Sequence, residues 1–377
     1  MTKPRTGTLT ERAPGIWRLQ VTADPDPVTG EVRRMSRTVH GTRAQATEDL
    51  QRLVVEAGAG LHLGSRVTVA ELLAQFMTTA TLAPTMREDW TSVIRRHLVP
   101  ELGAVPLAKL TARDCDGLYV RMAAQGIGPS RVRRAHVVLH RAVAQAVRWG
   151  WLARNPVSSA TRPAVPRVSI TPPDVDRVRR VLDAAHESDP FLACWLEVAV
   201  ATGARRGEVC ALRWCDIDLD NATARIERSV CATRAEGVVV KTTKTDRARL
   251  VSLTPRAVHV LAHRYDTLAA DRRVVDREGL VFSSSTDPRQ PWRPELVTRR
   301  WERLRAKVGC RDVRIHDLRH FVATELLTAG IDVRTVANRL GHARTSTTLD
   351  IYWAWVPARD RDAANHLEAV LGSGTPV

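Results

Sequence analysis

A stretch dense in proline and serine, ARNPVSSATRPAVPRVSITPP from Ala153, divides this chain into two texts of different periodicity. Proline removes backbone donors and fixes φ, so neither a helix nor a central strand can run through such a segment. It is therefore read as an interdomain linker. A length of 377 residues is enough for two or three separate cores.

Ahead of the linker, the text changes once more. From Gly15 to His40, IWRLQV and VRRMSRTV alternate on either side of the turn DPVTGE, which predicts a hairpin or small sheet. TRAQATEDLQRLVVEAG then places Ala46, Leu50, Leu53 and Val54 at helical spacing and ends at Gly58. A second linker is expected near Leu61 to Arg66. Beyond it come about four amphipathic helices, with Thr68 and Thr111 as N-caps and with Trp90, Ile94 and Leu98 spaced i, i+4. Their polar faces hold Arg95, Arg96, Arg131, Arg133, Arg134 and Arg141. Behind the linker, a helix is expected from Thr171 to Ala185, with proline in its first turn. The expected fold class is multidomain: a small β-sheet plus helix over residues 1–60, an all-α domain over 66–157, and a mixed, mainly-α domain with a small antiparallel sheet over 170–377.

The formal charge is +16, and only five residues are lysine against abundant arginine. That balance points to a polyanion held by bidentate guanidinium contacts, with nucleic acid the first candidate. The N-terminus has no apolar run of the signal-peptide kind, and the apolar stretch from Phe191 is too short to span a membrane and carries Glu197. A cytoplasmic protein without membrane association is expected. The cysteines at 115, 194, 210, 215, 231 and 310 lack CxxC spacing, so they are expected to be reduced and mostly buried.

Four motifs carry chemistry, in the order TGARRGE (202–208), HDLRH (316–320), LGH (340–342) and Tyr352. Attack on a phosphodiester needs cationic donors around the non-bridging oxygens, an acceptor for the nucleophile's proton and a donor for the leaving group. In TGARRGE, an arginine at a helix start with a carboxylate at i+3 is a way to fix a guanidinium against phosphate. Arg205 would clamp the phosphate and Glu208 would orient it, with Arg206 as the competitor. His316 and Arg319 share a helix face, one for the nucleophile's proton and the other for further phosphate contacts. Tyr352 is the expected nucleophile, because Tyr119 and Tyr265 stand in ordinary amphipathic helix text. The HxxxH pairs lack a third ligand, so no metal is expected.

The spacing of these four motifs resembles the tyrosine recombinase (phage integrase) family. The resemblance identifies Arg205 over Arg206 and implies catalytic roles for Arg205, Lys244, His316, Arg319, His342 and Tyr352, supported by Glu208. In that family the general-acid lysine lies on a β-hairpin. Here Lys241 and Lys244 both fall near the turn KTDR, and Lys244 is preferred as nearer the tip. VSL where VPL is frequent, and Phe321 and Val322 after HDLRH, depart from the pattern and are expected to alter packing rather than chemistry. The implied activity is site-specific recombination at double-stranded DNA attachment sites, as the integrase of a mobile element, through a 3′-phosphotyrosyl intermediate without cofactor. A homotetramer on DNA is implied, with an excisionase or DNA-bending protein as possible partners. The front module resembles an arm-type DNA-binding module and the helical segment a core-binding domain, while RDRDAANHLEAVL resembles the element that docks on a neighbouring subunit. The alternatives are a catalytically silent DNA-binding or architectural protein and an Xer-like dimer resolvase.

Overall fold

The computed structural model describes residues 7–25, 32–58, 67–166, 171–242, 248–270, 276–283, 290–342 and 358–371. The linker expected near Leu61 to Arg66, Lys244 and Tyr352 lie outside the described residues. The chain forms two compact units, Met1–Arg167 and Val168–Val377. It is mainly helical with small antiparallel sheets.

In the first unit, β1 (Thr8–Ala13), β2 (Ile16–Pro25) and β3 (Val32–His40) form an antiparallel sheet in that order. The alternating text from Gly15 predicted β2 and β3, and β1 adds an edge strand. Leu19 and Val21 on β2 are buried with Ala46 and Leu53 of α1 (Arg43–Gly58). Because side chains alternate along a strand, Arg18 and Gln20 fall on the opposite face. Thr38 and Ser36 of β3 and Thr10 and Thr8 of β1 lie across from them in register.

A separate helical core follows, built on α2 (Val69–Thr79), α3 (Pro84–Val93), α4 (Val99–Leu102), α5 (Ala112–Ala124) and α6 (Pro129–Arg148). Thr68 and Thr111 cap α2 and α5 in capping boxes with Glu71 and Asp114. Between α3 and α4 the helix widens to a π-turn over Ile94–Leu98. Pro100 has no N–H to donate there, so the i→i−4 ladder cannot continue unchanged. Trp90, Leu98, Leu118 and Leu139 are buried together, each contributing roughly 1.5–3 kcal/mol of transfer free energy. Several of the arginines on these helices have partners within the unit. Arg131 donates to Asp89 at 2.6 Å, Arg134 lies 3.2 Å from the same carboxylate, Arg133 donates to the Pro163 carbonyl, and Arg141 covers the Trp90 ring. Arg95 and Arg96 are exposed.

The second unit begins with α7 (Val175–Ser188), capped by Asp174. The helix expected from Thr171 starts later, because Asp174 accepts from the Arg177 N–H at 2.7 Å and Pro172 and Pro173 favour extended backbone in the residues before them. Helix α8 (Pro190–Thr202) is buried nearly all round, as a central core helix must be. Its Glu197 accepts from His186 at 2.9 Å and pairs with Arg256 at 2.8 Å, which allows a carboxylate inside. Next come the short α9 (Arg206–Cys210) and strands β4 (Ile217–Asp218), β5 (Thr223–Ile226), β6 (Arg228–Thr233), β7 (Gly237–Thr242) and β8 (Arg249–Ser252). The strands make two ladders, β4-β5-β8 and β6-β7. Among the described residues β7 and β8 thus belong to different ladders, and the KTDR turn expected between them lies outside the described residues. Helices α10 (Pro255–Ala270), α11 (Pro294–Lys307), α12 (Asp317–Thr328), α13 (Val333–Leu340) and α14 (Ala358–Leu371) complete the unit. Phe321 packs against the main core and Val322 is buried. Cys115, Cys194, Cys210 and Cys310 are buried, whereas Cys215 is exposed. No described helix is long and apolar enough to cross a membrane.

Candidate active site

The site assembles where α8 ends. Gly203 caps that helix with φ +62, and a Cβ there would lie 2.6 Å from Leu340 Cδ2 and 3.3 Å from Val322 Cγ1. A side chain is thus excluded by both conformation and space. The Gly203 carbonyl oxygen accepts from Arg319 Nη1 at 2.7 Å, which fixes a buried guanidinium of α12 against the corner.

Two residues on, Arg205 occupies the N-cap position of α9 and Glu208 its third residue. The Arg205 N–H donates to Glu208 Oε2 at 3.0 Å, and its Nη1 donates to Oε1 at 2.8 Å. This is the i, i+3 pair read from the sequence. Gly207 lets α9 approach β6, since a Cβ on it would sit 2.4 Å from the Val230 carbonyl oxygen. Arg206, the competing arginine, turns away and donates to Thr298 Oγ1.

Helix α13 brings in the LGH motif. Gly341 caps it at φ +69, and its carbonyl oxygen accepts from Arg205 Nη2 at 3.2 Å. His342 follows directly. Burial holds its pKa down to about 4, and Arg319, Arg205, His320 and Arg249 add to the effect. His316 stands at the N-cap of α12 with its ring 5.1 Å from that of His320, edge to face. Desolvation of its inner side lowers its pKa, His320 and Arg319 lower it further, and Asp317 opposes them. The outer side of the residue is open to solvent. Both imidazoles are neutral at pH 7 and can accept a proton. Two guanidiniums and two neutral imidazoles in one cleft suit a dianionic transition state that forms as a nucleophile loses its proton.

The sequence reading missed Arg249. It is 10% exposed at the side chain and donates from Nη2 to Glu208 Oε2 at 2.6 Å and from Nε to the Arg339 carbonyl oxygen at 2.9 Å. Burial alone would raise the Glu208 pKa, but the charge and hydrogen bond of Arg249, with Arg205, outweigh it and keep the carboxyl below its ordinary range. The only local signal was a charge at the head of a short apolar strand. Lys241 lies on β7 opposite Ser229. Tyr119 is buried and hydrogen-bonded to His136 Nδ1 at 3.0 Å in the helical core, while Tyr265 packs on Trp214, so neither belongs to this cleft.

Residues 174–358 match the model of the phage integrase family. The chain is 25% identical over 370 residues to the ICEBs1 integrase of Bacillus subtilis, covering 95% of this chain and 98% of that protein. It is 26% identical over 311 residues to the integrase of Mycobacterium phage D29, covering 82% and 80%. Among solved structures, the Tn1549 transposon integrase in complex with a circular intermediate DNA aligns with a TM-score of 0.67 at 17% identity, over 80% of this chain and 100% of that one. A lambda integrase tetramer bound to a Holliday junction aligns with a TM-score of 0.56 at 19% identity, over 90% and 94%. At such identities these structures speak to the fold.

Proposed function

We infer that this chain, a tyrosine recombinase whose residues 174–358 make a phage integrase family domain, is a site-specific recombinase that cuts and rejoins DNA for a mobile element. The observation that carries this reading is the convergence of Arg205, Arg319, His316 and His342 from three separated stretches of sequence on one cleft. A relative matched over 95% of this chain and another over 82% are integrases.

Within that activity we assign roles as follows. Tyr352 Oη attacks phosphorus, forming a phosphotyrosyl bond at the 3′ side and breaking the bond to the 5′-oxygen. Its proton passes to His316. Arg205, oriented by Glu208, and Arg319 hold the non-bridging oxygens, with His342 donating beside them. Lys244 protonates the leaving 5′-oxygen. The freed 5′-hydroxyl of the partner strand then reverses the step, so bond energy is retained and no nucleotide cofactor is required.

Three functional domains, 1–60, 66–157 and 170–377, are supported by the separate cores of the sheet module and the helical segment in the first unit. The sheet face opposite α1 carries Arg18, Gln20, Arg34, Ser36 and Thr38, a polar face suited to DNA. Assembly as a tetramer is supported by the structural likeness to a lambda integrase tetramer and by Leu367, Val370 and Leu371 of α14, which stand uncovered. Action on DNA supports a cytoplasmic protein, and an excisionase or bending protein would act on the same complex. The test is strand exchange between two duplexes carrying the attachment sequences that flank its coding DNA, in chelator and without ATP. Exchanged product is expected; exchange that needs a divalent ion or ATP contradicts the reading.

A further inference from the structure

Glu208 lies between two guanidiniums, and only one of them faces the cleft. Arg205 is 31% exposed at its side chain, Arg249 is 10% exposed, and Glu208 is 1% exposed. Arg249 opens β8, directly after the connection that carries Lys244. Its Nη2 and Nε are spent on Glu208 Oε2 and the Arg339 carbonyl oxygen. Two residues beyond Arg339, Gly341 returns to Arg205 through its own carbonyl. The result is a closed ring: Arg205 to Glu208, Glu208 to Arg249, Arg249 to the end of α13, and that end back to Arg205.

We propose that Arg249 is the positioning residue of the strand-cleavage site, holding Arg205 and the Gly341–His342 corner in register by clamping Glu208 and the C-terminus of α13 together. This rests on the recombinase reading above. Arg249 acts through Glu208 and the α13 end, because its Nε and Nη2 are committed to them. Without it, Glu208 keeps one cationic partner, and the α13 end loses a donor. Arg205 is then drawn toward groups it now shares with Arg249. The planar guanidinium is required, since its Nε and Nη2 satisfy two acceptors on different elements at once, whereas a lysine ammonium presents a single centre. The fit is close, because a Cβ at Gly341 would come within 2.6 Å of Arg249 Nη1.

The test uses the full chain and a nicked duplex bearing its attachment sequence, with single-turnover cleavage at saturating DNA and binding measured separately. Arg249→Gln should slow cleavage on the order of 10²-fold while Kd moves less than about 3-fold, the signature of misplacement and not of lost affinity. The double variant with Arg205→Ala should lose clearly less than the product of the two single losses, because part of the Arg249 effect runs through Arg205. A merely structural arginine would multiply the two losses. Cleavage by Arg249→Gln near the wild-type rate, or multiplied losses in the double variant, overturns the proposal. Should Arg249→Gln fail to fold, Arg249→Lys decides: a loss of roughly 10-fold at unchanged Kd is expected, and a wild-type rate overturns it. If the wild-type chain forms no adduct, or Arg205→Ala cleaves normally, the recombinase reading or its clamp has failed instead.

Discussion

Arg205 and Gly341 are 136 positions apart, yet the guanidinium donates to the glycine carbonyl at 3.2 Å and ties the start of α9 to the end of α13. Gly341 has φ +69 and no room for a Cβ beside Arg249. Gly341→Ala should therefore lose about 1–2 kcal/mol from left-handed strain and slow cleavage at least ~10-fold by displacing Arg249. Gly309→Ala is the control, with φ +72 and nothing within 4 Å of its Cβ position. It should share the stability loss in thermal or urea unfolding and keep its cleavage rate. Equal cleavage by the two variants would detach the glycine from the site.

The histidines set a pH dependence of definite sign. His342 is held down to about 4, first by burial and then by Arg319 and Arg205, and His316 is lowered in the same direction. As pH falls from about 6.5, the ordinary imidazole value, the unfolded chain takes up protons that the folded site refuses. Stability is therefore retained above about 6.5 and declines toward about 4, and His342→Gln should flatten that slope in urea titrations. Imidazole NMR of the DNA-free protein checks the cause directly. A His342 midpoint at or above the ordinary value would be wrong for this site.

What was legible in the sequence was local. The Arg205–Glu208 pair is an i, i+3 contact at a helix start, and the Thr68 and Thr111 caps reach three residues ahead. Arg249 was not legible, because its partners are 41 and 90 positions away and nothing in ARLVSL announces them. Strand pairing failed for a similar reason: alternation marks β7 and β8 as strands but does not say that β8 pairs with β5. Periodicity places Arg131 and Arg134 on a polar face without showing that Asp89 lies there too.

The two lysines separate by leaving-group chemistry. An alkoxide needs a general acid, whereas a thiolate, with pKa near about 8.5, departs unaided. Lys244→Ala should cleave an ordinary site very slowly and recover on DNA whose scissile 5′-oxygen is sulfur. Arg205→Ala should not recover, because its place is at the non-bridging oxygens. Sulfur rescue of Lys241→Ala, with normal cleavage by Lys244→Ala, would move the general acid onto β7.

The nucleophile is the centre of the account. Tyr352→Phe and wild-type protein are incubated with the same nicked attachment duplex in chelator, and protein–DNA adducts are resolved on a denaturing gel while binding is followed by mobility shift. Both proteins should bind the duplex, and only the wild type should yield a covalent 3′ adduct; a stable adduct from Tyr352→Phe would contradict the assignment outright.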